Sequence, residues 1–226
     1  MPVVSHKLVV VVFARELLPG RVKTRLAATI GDAAAGGFYR AFFEDLLAEL
    51  AGGAWSLRVA VAGDPTRFAT SLGLDPEVCF SQGEGDLGFR MEAAFQRLLA
   101  EGQWDRCLLV GSDMPQLTAS TLAWADAALA MGEADVVLGP ALDGGYYLVG
   151  MARPYPIFSE MRWSTPTVLH ETRARIAEMG LRATLLGEAF DVDTETDLRR
   201  LGDWLKEAEP ELLPRTRKAW KAFSES

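Results

Sequence analysis

Short apolar runs, set between stretches of helical pattern, constrain this chain most. Arg106 to Val110 is almost wholly apolar, which reads as a central strand covered on both faces of a sheet. Further strands are predicted at 7–14, 57–62, 78–80, 135–138, 146–151 and 181–186. Helices are expected from Asp32 to Leu50, with an apolar stripe of Phe38, Phe42, Leu46, Leu47 and Leu50, and at 88–100 and 118–130. Two more are expected from a Ser164 cap to Met179, with Pro166 in the first turn, and from a Thr194 cap to about Ala208. This alternation predicts an α/β domain with a mostly parallel sheet. The short connection Asp143-Gly144-Gly145 allows an antiparallel neighbour in an otherwise parallel sheet.

A chain of 226 residues, 49% of them hydrophobic, can bury the core of one domain over 1–226. The stretch 210–226 reads as a helical tail, with Arg215, Arg217, Lys218 and Lys221 around Trp220. Its packed face belongs to its own domain or, as the alternative, to a homodimer contact. A net charge of −8 argues against a nucleic-acid partner, which needs a basic face to displace counterions. Cys79 and Cys107 lie in apolar runs and read as buried free thiols of a reducing compartment. No apolar run approaches the roughly 20 residues that span a bilayer, and no leader pattern is evident, so no membrane partner and a cytoplasmic location are expected.

Within this acidic chain, Arg15, Arg21, Lys23 and Arg25 crowd one loop after the first strand. Ligands bind at such junctions in α/β folds. Gly20 lets backbone approach a ligand, and the cations suit a pyrophosphate. The alternative is a solvated basic loop. The spacing is not that of a Walker loop, which disfavours a P-loop phosphotransferase.

Gly83-Glu84-Gly85-Asp86-Leu87-Gly88 satisfies Gly-x-Gly-x-x-Gly between a strand and a helix, with Asp113 downstream to hold a ribose. An enzyme using a dinucleotide is therefore a competing reading. Against it, the fingerprint follows the third strand rather than the first and leaves the 19–25 loop idle. A loop packing against a nucleobase, with Gln82 reading a base edge through its amide, accounts for more. A purely structural turn is the remaining alternative.

Asp113, in Gly111-Ser112-Asp113-Met114-Pro115, should emerge at the carboxyl edge of the sheet. Asp191 and Asp193 share a face if their backbone is extended. Three converging carboxylates repel one another unless a cation neutralises them, and hard oxygen donors beside a pyrophosphate point to Mg²⁺ or Mn²⁺. Otherwise Asp113 caps a turn, and Asp191 and Asp193 begin a helix. Asp143, Gly144 and Gly145 would admit a substrate over bare backbone or form a tight turn; Trp163 would shield an acceptor pocket or pack on its own helix. His6 and His170 read as surface or packed residues, and no Gly-x-Ser-x-Gly, Cys-x-x-Cys or His-Glu-x-x-His occurs.

Six ordered motifs carry a resemblance over nearly the whole chain up to about residue 205. They are Pro-Gly-Arg-Val-Lys-Thr-Arg-Leu at 19–26, Gly-Asp-Leu-Gly-Phe-Arg-Met at 85–91, Gly-Ser-Asp-Met-Pro at 111–115, Leu-Gly-Pro-Ala-Leu-Asp-Gly-Gly-Tyr-Tyr-Leu at 138–148, Trp-Ser-Thr-Pro at 163–166 and Asp-Val-Asp-Thr at 191–194. Together they resemble the bacterial DUF2064 group, which is similar to nucleotide-diphospho-sugar transferases of GT-A fold. The resemblance implies a three-layer α/β/α domain with a mixed, mostly parallel sheet. It implies phosphate contacts at Gly20, Lys23 and Arg25, to which the loop's charge adds Arg15, a place near the base for Gln82, Gly85, Asp86 and Gly88, catalytic roles for Lys23 and Asp113, and a metal on Asp113. Asp191 and Asp193 join the metal only through a weaker similarity to phospholactate guanylyltransferase-like proteins. One stretch departs from the pattern: Arg15-Glu16-Leu17-Leu18 stands where a lysine-led segment is implied.

The expected activity is a Mg²⁺- or Mn²⁺-dependent transferase moving a sugar from a nucleotide-linked donor to a small-molecule acceptor. The alternative is nucleotidyl transfer from an NTP to a phosphorylated small molecule, with pyrophosphate leaving; a non-catalytic nucleotide sensor is a third.

Overall fold

The computed structural model describes residues 7–18, 20–100 and 102–225; His6 and Pro19 lie outside them. The described residues form one seven-stranded sheet. Its strands are β1 (Leu8–Arg15), β2 (Ser56–Ala62), β3 (Cys79–Ser81), β4 (Arg106–Gly111), β5 (Val136–Pro140), β6 (Tyr146–Met151) and β7 (Ala183–Leu185). They lie in the order β3-β2-β1-β4-β6-β5-β7. β6 runs antiparallel to both β4 and β5, and all other pairings are parallel. The mixed, mostly parallel sheet is therefore as expected, and its antiparallel member is the strand behind the short Asp143–Gly145 connection.

The helices are α1 (Thr24–Ile30), α2 (Asp32–Leu50), α3 (Pro65–Leu72), α4 (Leu87–Ala100), α5 (Ala119–Ala130), α6 (Val168–Glu178), α7 (Glu195–Glu207) and α8 (Pro214–Ser224). Side-chain alternation along the strands builds two cores. Val10, Val12, Leu108 and Val110 face Phe43 and Leu46 of α2, Phe68 of α3 and Leu122 of α5. Val9, Val11, Phe13 and Leu109 face Met91 and Phe95 of α4 and Ile176 of α6. With both faces covered, β1 and β4 have no solvated side, which is why they are continuous apolar runs. The result is a three-layer α/β/α domain.

A third core closes the outer face of α2. Phe38 and Phe42 meet Leu198 and Leu201 of α7 and Trp220 and Phe223 of α8. Gly202 permits this approach, since a Cβ there would lie 2.1 Å from the Trp220 ring. The aromatic face of the tail thus packs on its own domain.

Three local expectations need correction. Thr24–Ile30 forms a helix, so Arg25 of the expected basic loop stands on α1. Pro65–Leu72 is also helical, in a stretch for which no helix is expected from the sequence. Asp64 accepts the Thr66 and Arg67 N–H groups, Pro65 fills the first turn where no donor is needed, and Gly73 closes the helix at φ 65°. Finally, the helix expected from Ser164 begins at Val168, because Ser164 sits at φ 61°, outside the helical region.

Cys107 is buried, which pushes its thiol pKa up, and Cys79 is only partly buried; both are free. Among the described residues no helix is long and apolar enough to cross a membrane.

Candidate active site at the carboxyl edge of the sheet

Strand order reverses beside β1: β2 and β3 follow on one side, while β4 lies on the other. A crevice opens at such a switch point, outside the carboxyl ends of the strands. Four segments distant in sequence reach this edge. Residues 16–23 leave β1, and residues 112–115 leave β4. Because β6 is antiparallel, its start and the preceding 141–145 turn arrive at the same edge. The chain after β7 returns through residues 189–193, paired to Ala141 by an isolated bridge at Ala189.

Lys23 is the centre of the arrangement. Its ammonium lies 2.5 Å from Asp113 Oδ1 and 3.0 Å from Asp193 Oδ1. The side chain is 3% exposed, whereas those of Asp113 and Asp193 are 44% and 41% exposed. The carboxylates thus face solvent with a buried cation behind them. Burial lowers the Lys23 pKa, but Asp113 and Asp193 overcome it, and the net shift is upward. Lys23 caps α1 from the left-handed region, at φ 49° and ψ 43°. That conformation costs a residue with a Cβ on the order of 1–3 kcal/mol and is tolerated where surroundings over-determine it. The two ion pairs do so here.

The backbone ties the same groups together. The Val192 N–H donates to the Asp113 carbonyl at 2.8 Å, fixing the late acidic segment beside β4. Beneath Lys23, the Tyr39 hydroxyl accepts the Arg15 N–H at 2.8 Å and lies 3.0 Å from Ser112 Oγ. Burial, helped by the Asp113 charge, pushes the Tyr39 pKa up to about 12, so this phenol serves as a neutral brace.

Beside Asp113 opens a pocket of about 290 Å³. Phe13, Met91, Leu109, Val149 and Trp163 form its apolar lining, and Asp113, Asp143, Asp191 and Asp193 bring carboxylates to it. Burial first, then repulsion from Asp113, Asp143 and Asp193, pushes the Asp191 pKa up to about 7, against the pull of Lys23. These hard oxygen donors are the type that Mg²⁺ or Mn²⁺ requires. Among the described residues, however, no three His, Cys, Asp or Glu side chains are gathered closely enough to hold an ion. Lys23, not a third carboxylate, joins Asp113 to Asp193.

The other expected residues divide by position. Arg15 lines a separate hollow at the ends of β1 and β2, with Glu16, Arg21 and Gly63. Gly20 occupies a turn at φ 71°, and Arg25, 73% exposed on α1, reaches to 3.9 Å from Asp193. Gln82 is corrected: its amide nitrogen donates to the Ala14 and Ala60 carbonyls at 3.1 and 2.9 Å, and its oxygen accepts from Arg90. Both amide hydrogens brace strand ends, and neither is left for a base edge.

The Gly83–Gly88 stretch likewise serves α4. Asp86 accepts the Phe89 N–H at 2.9 Å, so a carboxylate already occupies the helix start where a pyrophosphate would bind in a dinucleotide fold. Gly85 turns the chain at φ 94°. Gly88 is demanded by packing, since a Cβ would come within 2.6 Å of the Trp163 ring and 2.7 Å of the Phe158 carbonyl.

Asp143 accepts the Gly145 N–H at 2.8 Å, so it closes the tight turn and also lines the pocket with Gly145. Gly144 is at φ 88°, and a Cβ there would lie 2.1 Å from the Pro166 carbonyl oxygen. The backbone of Pro166 therefore lies close against this turn, with Trp163 of the same segment at the pocket. Trp163 packs on Phe158 and lines the pocket. Sequence reasoning missed Tyr39, Ser112 and the lining residues Phe13, Leu109 and Val149. Ser112 stood beside Asp113 as a signal, but nothing local marks which apolar strand residue faces a cleft.

Comparison with known proteins places this geometry among relatives. The model of the family described as "Uncharacterized protein conserved in bacteria (DUF2064)" matches residues 46–165. A candidate nucleotide-diphospho-sugar transferase from Desulfovibrio desulfuricans G20 is 31% identical, with 93% of this chain and 94% of that chain aligned at a TM-score of 0.85. A cytidylyltransferase from Leptospira borgpetersenii serovar Hardjo-bovis is 13% identical, with 97% and 95% aligned at a TM-score of 0.57. The 4-diphosphocytidyl-2C-methyl-D-erythritol synthase of Anaerococcus prevotii DSM 20548 is 8% identical, with 89% and 97% aligned at 0.58. The last two share the fold. No curated protein matches the sequence.

Proposed function

The chain belongs to the DUF2064 family, and from that premise we propose that it is a metal-dependent transferase taking a nucleotide-diphospho-sugar donor and a small-molecule acceptor. One observation carries the reading: Lys23 of the early basic loop and the aspartates 113 and 193 meet at the switch point of the sheet. A donor pyrophosphate needs cations and a donor sugar needs an adjoining cleft; the edge offers both.

Arg15, Arg21, Lys23 and Arg25 bind the phosphates, with Gly20 turning the backbone beneath them. Asp113 and Asp193 are the pair that would hold Mg²⁺ or Mn²⁺, and Asp191 would have to close on them to complete the set. When bound, the ion neutralises charge developing on the departing nucleotide. Lys23 holds the two carboxylates together and is the cation that would meet the phosphates beside them. The D. desulfuricans relative supports a nucleotide-diphospho-sugar donor by the description it carries.

The test is a screen of nucleotide sugars with Mn²⁺ and candidate acceptors, read as nucleoside diphosphate release. Acceptor-dependent release from a UDP- or GDP-sugar is the expected result. Pyrophosphate release from an NTP instead would reassign the site to nucleotidyl transfer. Tight nucleotide binding with no turnover of any donor would make the protein a sensor.

A further inference from the structure

We propose that the pocket beside Asp113 takes an acceptor that carries neither phosphate nor carboxylate: a neutral or amine-bearing molecule with a ring-sized apolar face. The inference rests on the transferase reading for calling the occupant an acceptor, but the chemistry of the pocket is argued separately.

Size and lining come first. At about 290 Å³ the pocket is at the small end of the range for ligand sites. Phe13, Leu109 and Val149 belong to one face of the sheet, and Met91 and Trp163 bring α4 and the 163–167 segment over them. A flat apolar body removes this surface from water as it enters.

Charge decides the rest. Four aspartates line the pocket, and among the described residues no lysine or arginine does. The cations that approach these aspartates, Lys23 and Arg25, are already opposite Asp113 and Asp193. A phosphate or carboxylate entering there meets like charge with no fork of donors to receive it, a juxtaposition that costs several kcal/mol. By contrast, the hollow at the ends of β1 and β2 carries Arg15 and Arg21. The edge is thus divided into a cationic side fit for phosphates and an apolar, acidic side that repels them.

The experiment uses the full chain without nucleotide and in EDTA, so that no ion masks the aspartates. The probes are 2-phenylethanol, 2-phenylethylamine and phenyl phosphate, which share a ring and differ in charge. Binding is read on the indole N–H resonance of Trp163, assigned with Trp163→Phe among the six tryptophans. The alcohol and the amine are expected to shift that resonance with dissociation constants at least about tenfold below that of phenyl phosphate. Phenyl phosphate binding as tightly as either in the metal-free chain would overturn the inference, as would a Trp163 resonance that no probe moves.

Asp143→Lys should improve phenyl phosphate by about tenfold and weaken the amine by a similar factor. If that variant does not fold, Asp143→Asn, which keeps the acceptor for the Gly145 N–H, should weaken the amine relative to the alcohol. An unchanged order in the folded variant would remove the charge argument. Because no nucleotide is present, failure of the donor screen and failure of this selectivity are separate results.

Discussion

Lys23 and Asp113, 90 residues apart in the chain, meet through an ammonium–carboxylate contact of 2.5 Å, with the lysine buried and the aspartate half exposed. The pair joins the loop after β1 to the loop after β4, the two strands flanking the switch point of the sheet. Asp193 completes it from beyond β7. A cation fixed in this position holds together carboxylates that would otherwise repel one another.

Replacing Asp113 with Ala should abolish metal-dependent nucleotide binding while leaving the fold intact. The bond from the Val192 N–H goes to the Asp113 carbonyl and survives the change, and Asp193 remains beside the buried ammonium. Calorimetric titration with nucleotide in the presence and absence of Mn²⁺, with circular dichroism as the control, checks this. Wild-type metal dependence in the variant would remove Asp113 from the site.

Lys23→Ala should weaken ligands containing a pyrophosphate by about 10- to 100-fold while leaving nucleosides nearly unchanged, since a hydrogen bond to a charged group contributes roughly 1.5–3 kcal/mol. Comparing a nucleoside with its diphosphate by the same titration separates the two classes. Equal weakening of both would mean that the lysine only organises the loop.

For metal-free protein, Asp191→Asn should stabilise the fold in a pH-dependent way. The Asp191 pKa stands at about 7 in the folded chain against 3.8 ordinarily, raised mainly by burial and neighbouring carboxylates. A raised carboxylate pKa means that the folded state binds more protons, so stability contributed at low pH is lost as pH rises from about 4 through 7. The asparagine removes that loss. Thermal melts in EDTA should show the variant more stable by about 1–3 kcal/mol at pH 8, with the difference shrinking by pH 4. A gap independent of pH would contradict the raised Asp191 pKa.

Gly144→Ala should destabilise the chain by about 2 kcal/mol or more, because it combines a left-handed backbone with a methyl aimed at the Pro166 carbonyl. Denaturant unfolding measures the loss. The Trp163 indole resonance should shift in the same variant, because the 163–167 segment is displaced. Stability like that of the wild type would show that this turn relaxes freely.

Much of the fold is legible along the chain because its signals are local. The continuous apolar runs of β1 and β4, the Asp143–Gly145 turn before an antiparallel strand and the Thr194 cap of α7 each follow from neighbouring residues. α3 was equally marked, by Asp64-Pro65 and Gly73, but the first two residues also end a strand and serve either reading. α1 is different: it is seven residues long with no side-chain cap, too short to hold without packing, and it depends on Leu26 entering the third core.

The residue types of the site were determined by the sequence itself: a cationic loop, aspartates at strand ends and a glycine turn. Their roles were decided by the tertiary structure. Gln82 appeared free to read a base, yet both amide hydrogens answer carbonyls of β1 and β2. Gly88 matched a cofactor fingerprint, yet it makes room for Trp163. Lys23 could have reached toward solvent, but folding places it between Asp113 and Asp193, 90 and 170 positions away. Local propensity carries over a turn or a strand, whereas ion pairing and burial depend on distances that exist only once the sheet has ordered its strands.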